Sequence, residues 1–542
     1  MKKLLSIFFS VLMIFCFFTA CSKDGSGEQM VFPIDSEPQY LDPQIVSQRG
    51  AANIVQNCFE GLVTYGEDGD VVPAGCESYS VSPDGTTYTF SLRRDAKWKV
   101  SSYAKALFQN GEFEKFDNRV TAADYVFAFR RVACADTGSS AFPYIASVKN
   151  ATAVHEGKLS EKMLGVRAEG DFTLVIELER ADSDFIYALT RPAFVPCNET
   201  FFEMTNGRYC LSVANIISNG PFFITNWADN TAITARKNDL YHSADSVLPS
   251  SVYFSFNNEK GTRGEKVKDG VYEVSPVDEV QAAALASEKK VTVRPFENGC
   301  FALLFNCSNE YLKNAYLRAA LAASLDKENF FDEGSETADG IIPPDSTFGG
   351  APYRKMAGIV AFTDSGTDVA GQYLKKAQSA LEKESFSLSV LCDEKNELAV
   401  RKVLQNWQSV LSVKSSITVK VVDSQTLSEK IEKGDFQLAF SQLLFDSDTA
   451  QGVLLRFSKD SADNVFGFSS NRYEALLSAA QNAKSDRDFL SALKKAEQYL
   501  SNNAVIVPIE KRNGYFAQAK GVSGVIYSPG GEFVYFKNAI RK

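Results

Sequence analysis

Histidine is almost absent from this sequence, which has 542 residues but only two histidines, His155 and His242. Proteins that coordinate transition metals directly usually do so with clustered histidine and cysteine side chains. The ten cysteines include no C-x-x-C pair, and the zinc-protease spacing after His155-Glu156 places Leu159 where a second histidine is needed. The sequence therefore gives no support for a directly coordinated metal, and we expect no cofactor.

Motifs of common enzymes and of nucleic-acid-binding proteins are also missing. There is no G-x-S-x-G motif and no P-loop, and Ser287 and Lys290 form an S-x-x-K pair without the S-D-N or K-T-G motifs that accompany it in β-lactamases. The net charge is −10, whereas nucleic-acid binding needs clustered Lys and Arg. We expect neither an enzyme nor a partner of nucleic acid.

Long apolar runs are missing too, except at the N-terminus. Lys2 and Lys3 precede an apolar run over residues 4–18, and small residues followed by Cys21 come directly after it. This layout is typical of a secretory signal peptide. Its small-residue and cysteine ending resembles the bacterial lipobox, in which the cysteine becomes the lipidated N-terminus.

The expected N-terminal organisation follows from that layout. We expect a lipoprotein signal peptide over residues 1–20, lipid attachment at Cys21 and a polar tether over residues 21–30. The acyl chains would hold the exported protein to a bacterial membrane, on the periplasmic side or the cell surface. An ordinary cleaved signal peptide is the alternative.

Eight cysteines remain once Cys16 in the leader and Cys21 are set aside. Export permits disulfides, but the spacing of cysteines does not reveal their connectivity. Several of the eight are expected to be small buried hydrophobic residues.

Strand and helix signals alternate along the rest of the chain. Residues 88–92 alternate between apolar and polar side chains, which predicts a strand, and the nearly continuous apolar run 301–305 predicts a buried one. This alternation favours α/β lobes. A chain of this length usually divides into two or three domains.

The helix signals are clear at some ends and weak at others. Thr121 and Asp124 have the spacing of a capping box, which predicts a helix that starts at Thr121. A long helix is expected from Ser308, another over residues 473–500, and a loop over residues 334–350.

Short motifs occur in one order over residues 31–542. They are EPQYLDP at 37–43, NCFEGLV at 57–63, VPAGCES at 72–78, GTTYTFSLR at 85–93 with AKW at 96–98, VTAADYV at 120–126, NGPF at 219–222 with Trp227, LFN at 304–306, LRAA at 317–320, SLDK at 324–327, AE at 496–497 and VPI at 507–509. Together they resemble the peptide and nickel solute-binding family of bacterial ABC importers, extracellular family five. Each motif also has a structural explanation, so the motifs indicate the fold rather than the site.

The resemblance implies a fold and a division of the chain. The fold is the two-lobed periplasmic-binding-protein fold, type II, in its three-domain oligopeptide-binding subclass, with closure by a hinge. Domain I would combine residues 31–52, 214–298 and 512–542, domain II would be residues 53–213, and domain III would be residues 299–511. The ligand would lie between the lobes.

The resemblance also implies an anchor for the amino group of a peptide. The segment at 440–448 (FSQLLFDSD) resembles the family's W-x-x-D-Y, and Asp446 falls on the aspartate that binds the amine. Asp448 is the second candidate, because alignments slip easily in loops. Leu443 and Ser447 stand where Trp and Tyr are usual, so the aromatic wall is altered.

The remaining site residues come from both lobes. In this family an extended peptide is held by its main chain, as an added strand. Backbone groups are expected from Ser441, Gln442 and Leu443. The other lobe is expected to contribute Ser36, Glu37 and Pro38. Phe440 stands where some relatives have an arginine for the ligand's carboxylate, so that interaction is expected to be missing.

The function implied is capture of peptides and delivery to an ABC permease and its ATPase, by a protein that is expected to be a monomer. Two alternatives stay open. One is a family member that binds a nickel chelate or another small solute. The other is a stand-alone peptide receptor, adhesin or chaperone on the same scaffold.

Overall fold

The computed structural model describes residues 27–108, 113–256, 261–327, 330, 336–411, 415–445, 447–461 and 463–542. Over these residues, three larger β-sheets and five two-stranded ones are combined with α-helices. No helix within the described ranges is long and apolar enough to cross a membrane. The mixed α/β content agrees with the expectation from the alternating pattern.

Parallel and antiparallel pairs occur together in two of the three larger sheets. The first sheet has the strand order Gln29–Pro33, Ser251–Ser255, Ala232–Lys237, Phe222–Ala228. The second has the order Cys76–Val81, Thr87–Leu92, Thr173–Glu177, Val166–Ala168. The third has the order Val274–Val277, Ile506–Ala519, Val291–Phe305, Leu438–Leu444, Ser387–Asp393, Ser416–Val422. The two-stranded sheets pair Val63–Tyr65 with Val71–Pro73, Lys99–Val100 with Ile217–Ser218, Thr347–Phe348 with Ala351–Pro352, Val522–Ser523 with Ile540–Arg541, and Ile526–Tyr527 with Val534–Tyr535.

The helices mostly cover one face of a sheet or connect two strands. Within the described ranges the α-helices are Arg49–Cys58, Ala122–Ala133, Ala151–His155, Phe185–Ala188, Glu199–Met204, Arg263–Lys268, Glu279–Leu285, Ala315–Ala323, Tyr353–Ala357, Thr367–Leu381, Glu397–Val410, Ser424–Glu432, Ala450–Leu455, Asn471–Gln481 and Asp486–Asn502. The capping box is present, because the Asp124 carboxylate accepts from Thr121 N at 2.8 Å.

Two predicted helices were wrong in extent. The helix expected from Ser308 begins only at Ala315, because the Asn314 side chain caps it by accepting from two backbone N–H groups. The helix expected over residues 473–500 is two helices, Asn471–Gln481 and Asp486–Asn502. Ser485 caps the second of these, which interrupts the apolar period.

Buried apolar side chains form separate cores that divide the chain into two lobes. The first core contains residues between Met30 and Phe296 and between Phe516 and Ala539; this part is called the first lobe. Two further cores contain only residues between Cys300 and Ile509, which form the second lobe. They lie on opposite faces of the six-stranded sheet, because alternate side chains of a strand point to opposite faces.

Two long strands, Val291–Phe305 and Ile506–Ala519, run from one lobe into the other. Their register shifts between Phe296 and Gly299, where the chain changes lobes. Asn298 is buried at this point, and its side chain donates to Gly530 O at 2.9 Å and accepts from Gly514 N at 2.8 Å. The crossing therefore has an irregular ladder but satisfied polar groups.

All eight cysteines within the described ranges are free thiols. Six of them are buried. Burial raises the pKa of Cys197 to about 12 and that of Cys76 to about 11, so these thiols stay protonated and unreactive near neutral pH. They pack as small hydrophobic side chains.

A hairpin of the second lobe presses against the first lobe. Gly349 and Gly350 form its tip with φ of 56° and 75°, values that suit glycine in a tight β-turn. A Cβ at Gly350 would collide with the Tyr187 hydroxyl. Gly349 N donates to the Asp184 carboxylate at 2.5 Å, and Ser183 N donates to the Asp486 carboxylate at 3.1 Å.

Several acidic side chains lie close together at this contact between the lobes. Asp184 is 5% exposed, and its second carboxylate oxygen has no hydrogen-bond partner among the described residues. The charged and titratable groups that face it are Asp182, Asp486, Arg180 and Tyr187. Burial, reinforced by the two neighbouring aspartates, raises the pKa of Asp184 to about 8.

We expect closure of the lobes to depend on pH through Asp184. In an open form the carboxylate would meet water and return to its ordinary pKa of about 4. Between about pH 4 and pH 8 the closed form then holds one more proton than the open form. The equilibrium constant for closing therefore rises as the pH falls, by up to about tenfold per pH unit. Small-angle X-ray scattering of the ligand-free protein across this range measures the closed fraction.

The Asp184→Asn variant keeps the acceptor for Gly349 N but cannot ionise. It should remain compact up to pH 8 and show a flat profile over the same window, whereas Asp245→Asn, at an exposed position, should behave as the unchanged protein does. If Asp184→Asn keeps the full pH dependence, the proton is taken up elsewhere.

Candidate ligand-binding cleft

Strand Leu438–Leu444 of the second lobe has one edge that is only partly paired. One side pairs along its whole length with Val291–Phe305. The other side pairs with Ser387–Asp393 only at Leu438 and Ala439. Beyond Ala439 the backbone on that side has no partner strand among the described residues, so an extended chain could pair with it.

The direction of the backbone groups follows from hydrogen bonds at the two ends of the strand. Asn306 N donates to Gln437 O at 2.9 Å, and Phe445 N donates to Asn298 O at 2.9 Å. Hydrogen-bonded positions alternate in an antiparallel ladder without a bulge. Because Gln437 and Phe445 are hydrogen-bonded, the odd-numbered residues between them also bond to strand Val291–Phe305. The residues beyond Ala439 that turn their N–H and C=O groups to the open edge are Phe440, Gln442 and Leu444.

This alternation of main-chain direction distinguishes among the three residues predicted from the sequence. Gln442 turns its main chain to the open edge, and its side chain donates to Asn513 O at 3.0 Å. Ser441 and Leu443 turn theirs to the neighbouring strand, and both residues are buried. At Leu444 the carbonyl oxygen already accepts from Arg456 at 2.8 Å. Which residues face the open edge depends on pairing with a strand distant in sequence, so no local pattern could indicate it.

Phe440 fills the interior rather than the cleft with its side chain. It is fully buried, and its ring stacks against Phe330 at 5.3 Å and Trp407 at 6.0 Å between ring centroids. Phe440, at the position expected to lack an arginine for the ligand's carboxylate, thus contributes its side chain to the core. Only its main-chain groups lie at the open edge.

Asp446, predicted to bind the amino group, lies outside the described residues. The second candidate, Asp448, is buried and joins the lobes. Its carboxylate accepts from Gly530 N at 2.7 Å and from the Ser528 hydroxyl at 3.3 Å. Burial raises the pKa of Asp448, although the Gly530 N–H and Arg191 act in the opposite direction. Both bonds reach Oδ1, so this oxygen is committed to contacts within the protein.

The predicted residues of the first lobe form a loop after strand Gln29–Pro33. Ser36 is exposed and Pro38 is buried. The Glu37 carboxylate accepts from Trp227 Nε1 at 2.9 Å and from Asn230 N at 2.7 Å. Both oxygens of Glu37 are thus engaged with a neighbouring hairpin, which fixes the loop. Of the three predicted residues, only Ser36 is exposed.

A charged cluster that the sequence did not indicate bridges the lobes beside Gln442. Glu279 of the first lobe pairs with Arg512 at 3.0 Å and with Lys395 of the second lobe at 2.9 Å. The Arg512 guanidinium lies over the ring of Phe301, which is paired with Gln442. Burial alone would raise the pKa of Glu279, but Lys395 and Arg512 hold it below its ordinary value.

The two histidines have structural neighbours in separate places. His155 stacks on Phe142 with 3.7 Å between ring centroids, and His242 pairs with Glu60 at 2.6 Å. No group of three or more His, Cys, Asp or Glu side chains suited to a metal ion is found within the ranges that the structure describes.

Known proteins resemble this chain over nearly its full length. It is 25% identical over 519 residues to the dipeptide-binding protein DppE of Bacillus subtilis, covering 93% of this chain and 91% of the relative. It is 26% identical over 561 residues to the oligopeptide-binding protein OppA of the same organism, covering 99% and 98%. The solved structure of Listeria monocytogenes OppA bound to peptide aligns with a TM-score of 0.74 at 22% identity, covering 96% of this chain and 100% of that chain.

A family model also matches most of the chain. Residues 70–464 match the model of bacterial extracellular solute-binding proteins, family 5 Middle. The match covers well over half of the sequence, and the structural likeness confirms the two-lobed periplasmic-binding-protein fold. This chain belongs to the bacterial extracellular solute-binding proteins of family 5.

Proposed function

We propose that this protein captures peptides between its lobes and delivers them to an ABC permease and ATPase. The observation that carries the proposal is the open edge of strand Leu438–Leu444, where the main-chain groups beyond Ala439 have no partner strand among the described residues. Pairing with an unpaired strand edge recognises any extended peptide, because every peptide has the same main chain. The names of the two Bacillus subtilis relatives, which bind dipeptides and oligopeptides, support this choice.

We further propose the three-domain division, with domain I at residues 31–52, 214–298 and 512–542, domain II at 53–213 and domain III at 299–511. The separation of the cores near Phe296 and Cys300 supports the boundary between the lobes. The irregular ladder beside Asn298 supports a hinge there, since a bulge weakens strand pairing locally.

Asp446 is the proposed anchor for the ligand's amino group. It follows the open edge directly in sequence, so it would meet the end of a peptide paired there. Ser36, Glu37 and Pro38 would approach the ligand from the first lobe, with Glu37 holding that loop in place. On the opposite wall Gln442 would supply main-chain hydrogen bonds, while Ser441 and Leu443 on either side of it pair with Val291–Phe305 and hold the strand in place.

The protein is proposed to act as an exported monomer, lipid-anchored through Cys21 to a bacterial membrane. The charged leader, the apolar run over residues 4–18 and the cysteine that follows support this location. The anchor would keep the protein close to the permease.

We expect the protein to carry peptides when it is purified from cells grown on a peptide-rich medium. Native mass spectrometry, followed by denaturation, should release a set of peptides of similar length, because main-chain pairing fixes length more strongly than sequence. Release of a nickel chelate or another small solute instead would replace the peptide proposal by the first alternative. Peptide binding without effect on uptake in a deletion strain would favour the stand-alone receptor, adhesin or chaperone.

We expect Asp446→Asn to weaken binding of peptides with a free amino group by about 10- to 100-fold, as for loss of one charge-assisted hydrogen bond. Calorimetry with a released peptide, in free and N-acetylated forms, measures this. The acetylated form should bind both proteins equally, which controls for folding. Equal affinity of the free peptide for both proteins would rule out the anchoring role.

Cys21→Ser should move the protein from the membrane fraction to the soluble fraction, because a hydroxyl cannot receive the thioether-linked lipid. The matched control is Cys16→Ser within the leader, which should leave the protein in the membrane fraction. Membrane attachment of Cys21→Ser would show that the anchor lies elsewhere.

A further inference from the structure

A cavity of about 270 Å³ lies within the first lobe. Its walls come from helix Arg49–Cys58 and the following loop, the hairpin over residues 63–73, the loop around residues 241–243 and the C-terminal residues 526–538. Neither strand Leu438–Leu444 nor the cluster around Glu279 lines it. The cavity is therefore separate from the cleft between the lobes.

One end of the cavity carries a chain of polar side chains. The Glu60 carboxylate accepts from the Tyr241 hydroxyl with one oxygen and contacts His242 Nε2 at 2.6 Å with the other. The second ring nitrogen of His242 lies 2.8 Å from the Ser243 hydroxyl. Both oxygens of Glu60 are thus engaged by neighbouring side chains.

Two cationic side chains line the same end. Lys537 Nζ donates to the Tyr241 hydroxyl at 3.1 Å, and Arg93 Nε donates to Ala74 O at 2.7 Å. Burial lowers the pKa of Lys537; Glu60 opposes this lowering, and the positive charge of Arg93 adds to it. The lining thus contains two cationic side chains and two carboxylates, Glu60 and the exposed Glu67. Among the described residues, neither Lys537 nor Arg93 forms a salt bridge with either carboxylate.

The rest of the lining is mainly apolar and aromatic. Its residues include Val63, Val72, Pro73, Pro221, Ile526 and Tyr535. The buried hydroxyl of Tyr535 has no well-formed hydrogen bond among the described residues. Apolar walls with a few convergent polar groups are the usual composition of small-molecule sites, whose volumes start at about 300 Å³.

We infer that this cavity is a second binding site, for a small organic carboxylate with a short apolar body. The carboxylate would lie between Lys537 and Arg93, where it would form charge-assisted hydrogen bonds with both. The apolar body would lie along Val63, Val72 and Ile526. The volume restricts the ligand to a few carbon atoms beyond the carboxylate.

The probes that test this inference are acetate, butyrate and hexanoate, with inorganic phosphate as an anion that lacks an apolar body. Saturation-transfer NMR and calorimetry on the purified protein should show saturable binding that tightens by about fourfold per added methylene. Phosphate should bind more weakly than butyrate. Failure to detect saturable binding of any of the three acids would overturn the inference.

Two substitutions locate the binding. Lys537→Met and Arg93→Gln should each weaken hexanoate binding about tenfold or more, whereas Lys495→Met, at an exposed position, should leave it unchanged. Val72→Phe enlarges an exposed side chain of the lining without changing charge, and it should weaken hexanoate binding while the melting temperature stays near that of the unchanged protein. The Val72→Phe variant provides an independent test of the site if Lys537→Met fails to fold.

The cleft must be excluded as the place of binding. A peptide that saturates the cleft should leave hexanoate affinity unchanged, and Asp446→Asn should do the same. Competition between peptide and hexanoate, or full hexanoate affinity in Lys537→Met, Arg93→Gln and Val72→Phe, would assign the acid to another site and refute the inference.

Discussion

The buried amide of Asn298 is the interaction on which the geometry of the cleft depends. Its side chain binds Gly530 and Gly514, and its carbonyl oxygen accepts from Phe445 N at the end of the open strand. Through its side-chain amide and its main-chain carbonyl, Asn298 thus connects the C-terminal segment, the returning long strand and the strand with the open edge. A buried network of this kind holds one arrangement, because leaving any of its polar groups unpaired is costly.

Within the described part of the chain, charged and polar groups make several contacts between the lobes, and the buried apolar clusters of the two lobes are separate. Asp184 meets Gly349 N, Asp448 meets Gly530 N, and the Glu279–Lys395 pair spans the same gap. These contacts can exchange for water when the lobes separate, whereas a continuous apolar interface would resist opening. The buried carboxylates also make the closed arrangement sensitive to protonation. The chemistry of the contacts therefore suits a protein that must open and close repeatedly.

Recognition at the open edge and recognition in the separate cavity would rest on different physics. The edge offers repeating main-chain groups, which select for extended shape and tolerate many side chains. The cavity offers a fixed volume and two neighbouring cations, Lys537 and Arg93, which would select for size and sign of charge. One protein can therefore hold two ligand classes without competition between them.

The sequence by itself determined the family, the mixed α/β class and several element boundaries, because these depend on local patterns. The capping box at Thr121 and Asp124 and the strand over residues 88–92 were both readable from neighbouring residues. Local signals failed where caps interrupt an apolar period, as at Asn314 and Ser485.

Only the tertiary structure decided which residues turn their main chain to the open edge. Whether Gln442 or Ser441 presents its main chain depends on the phase of pairing with Val291–Phe305, and the cluster of Glu279, Lys395 and Arg512 unites residues far apart in the chain. Neither the phase of a ladder nor a long-range ion pair has a local pattern, so packing alone could fix them.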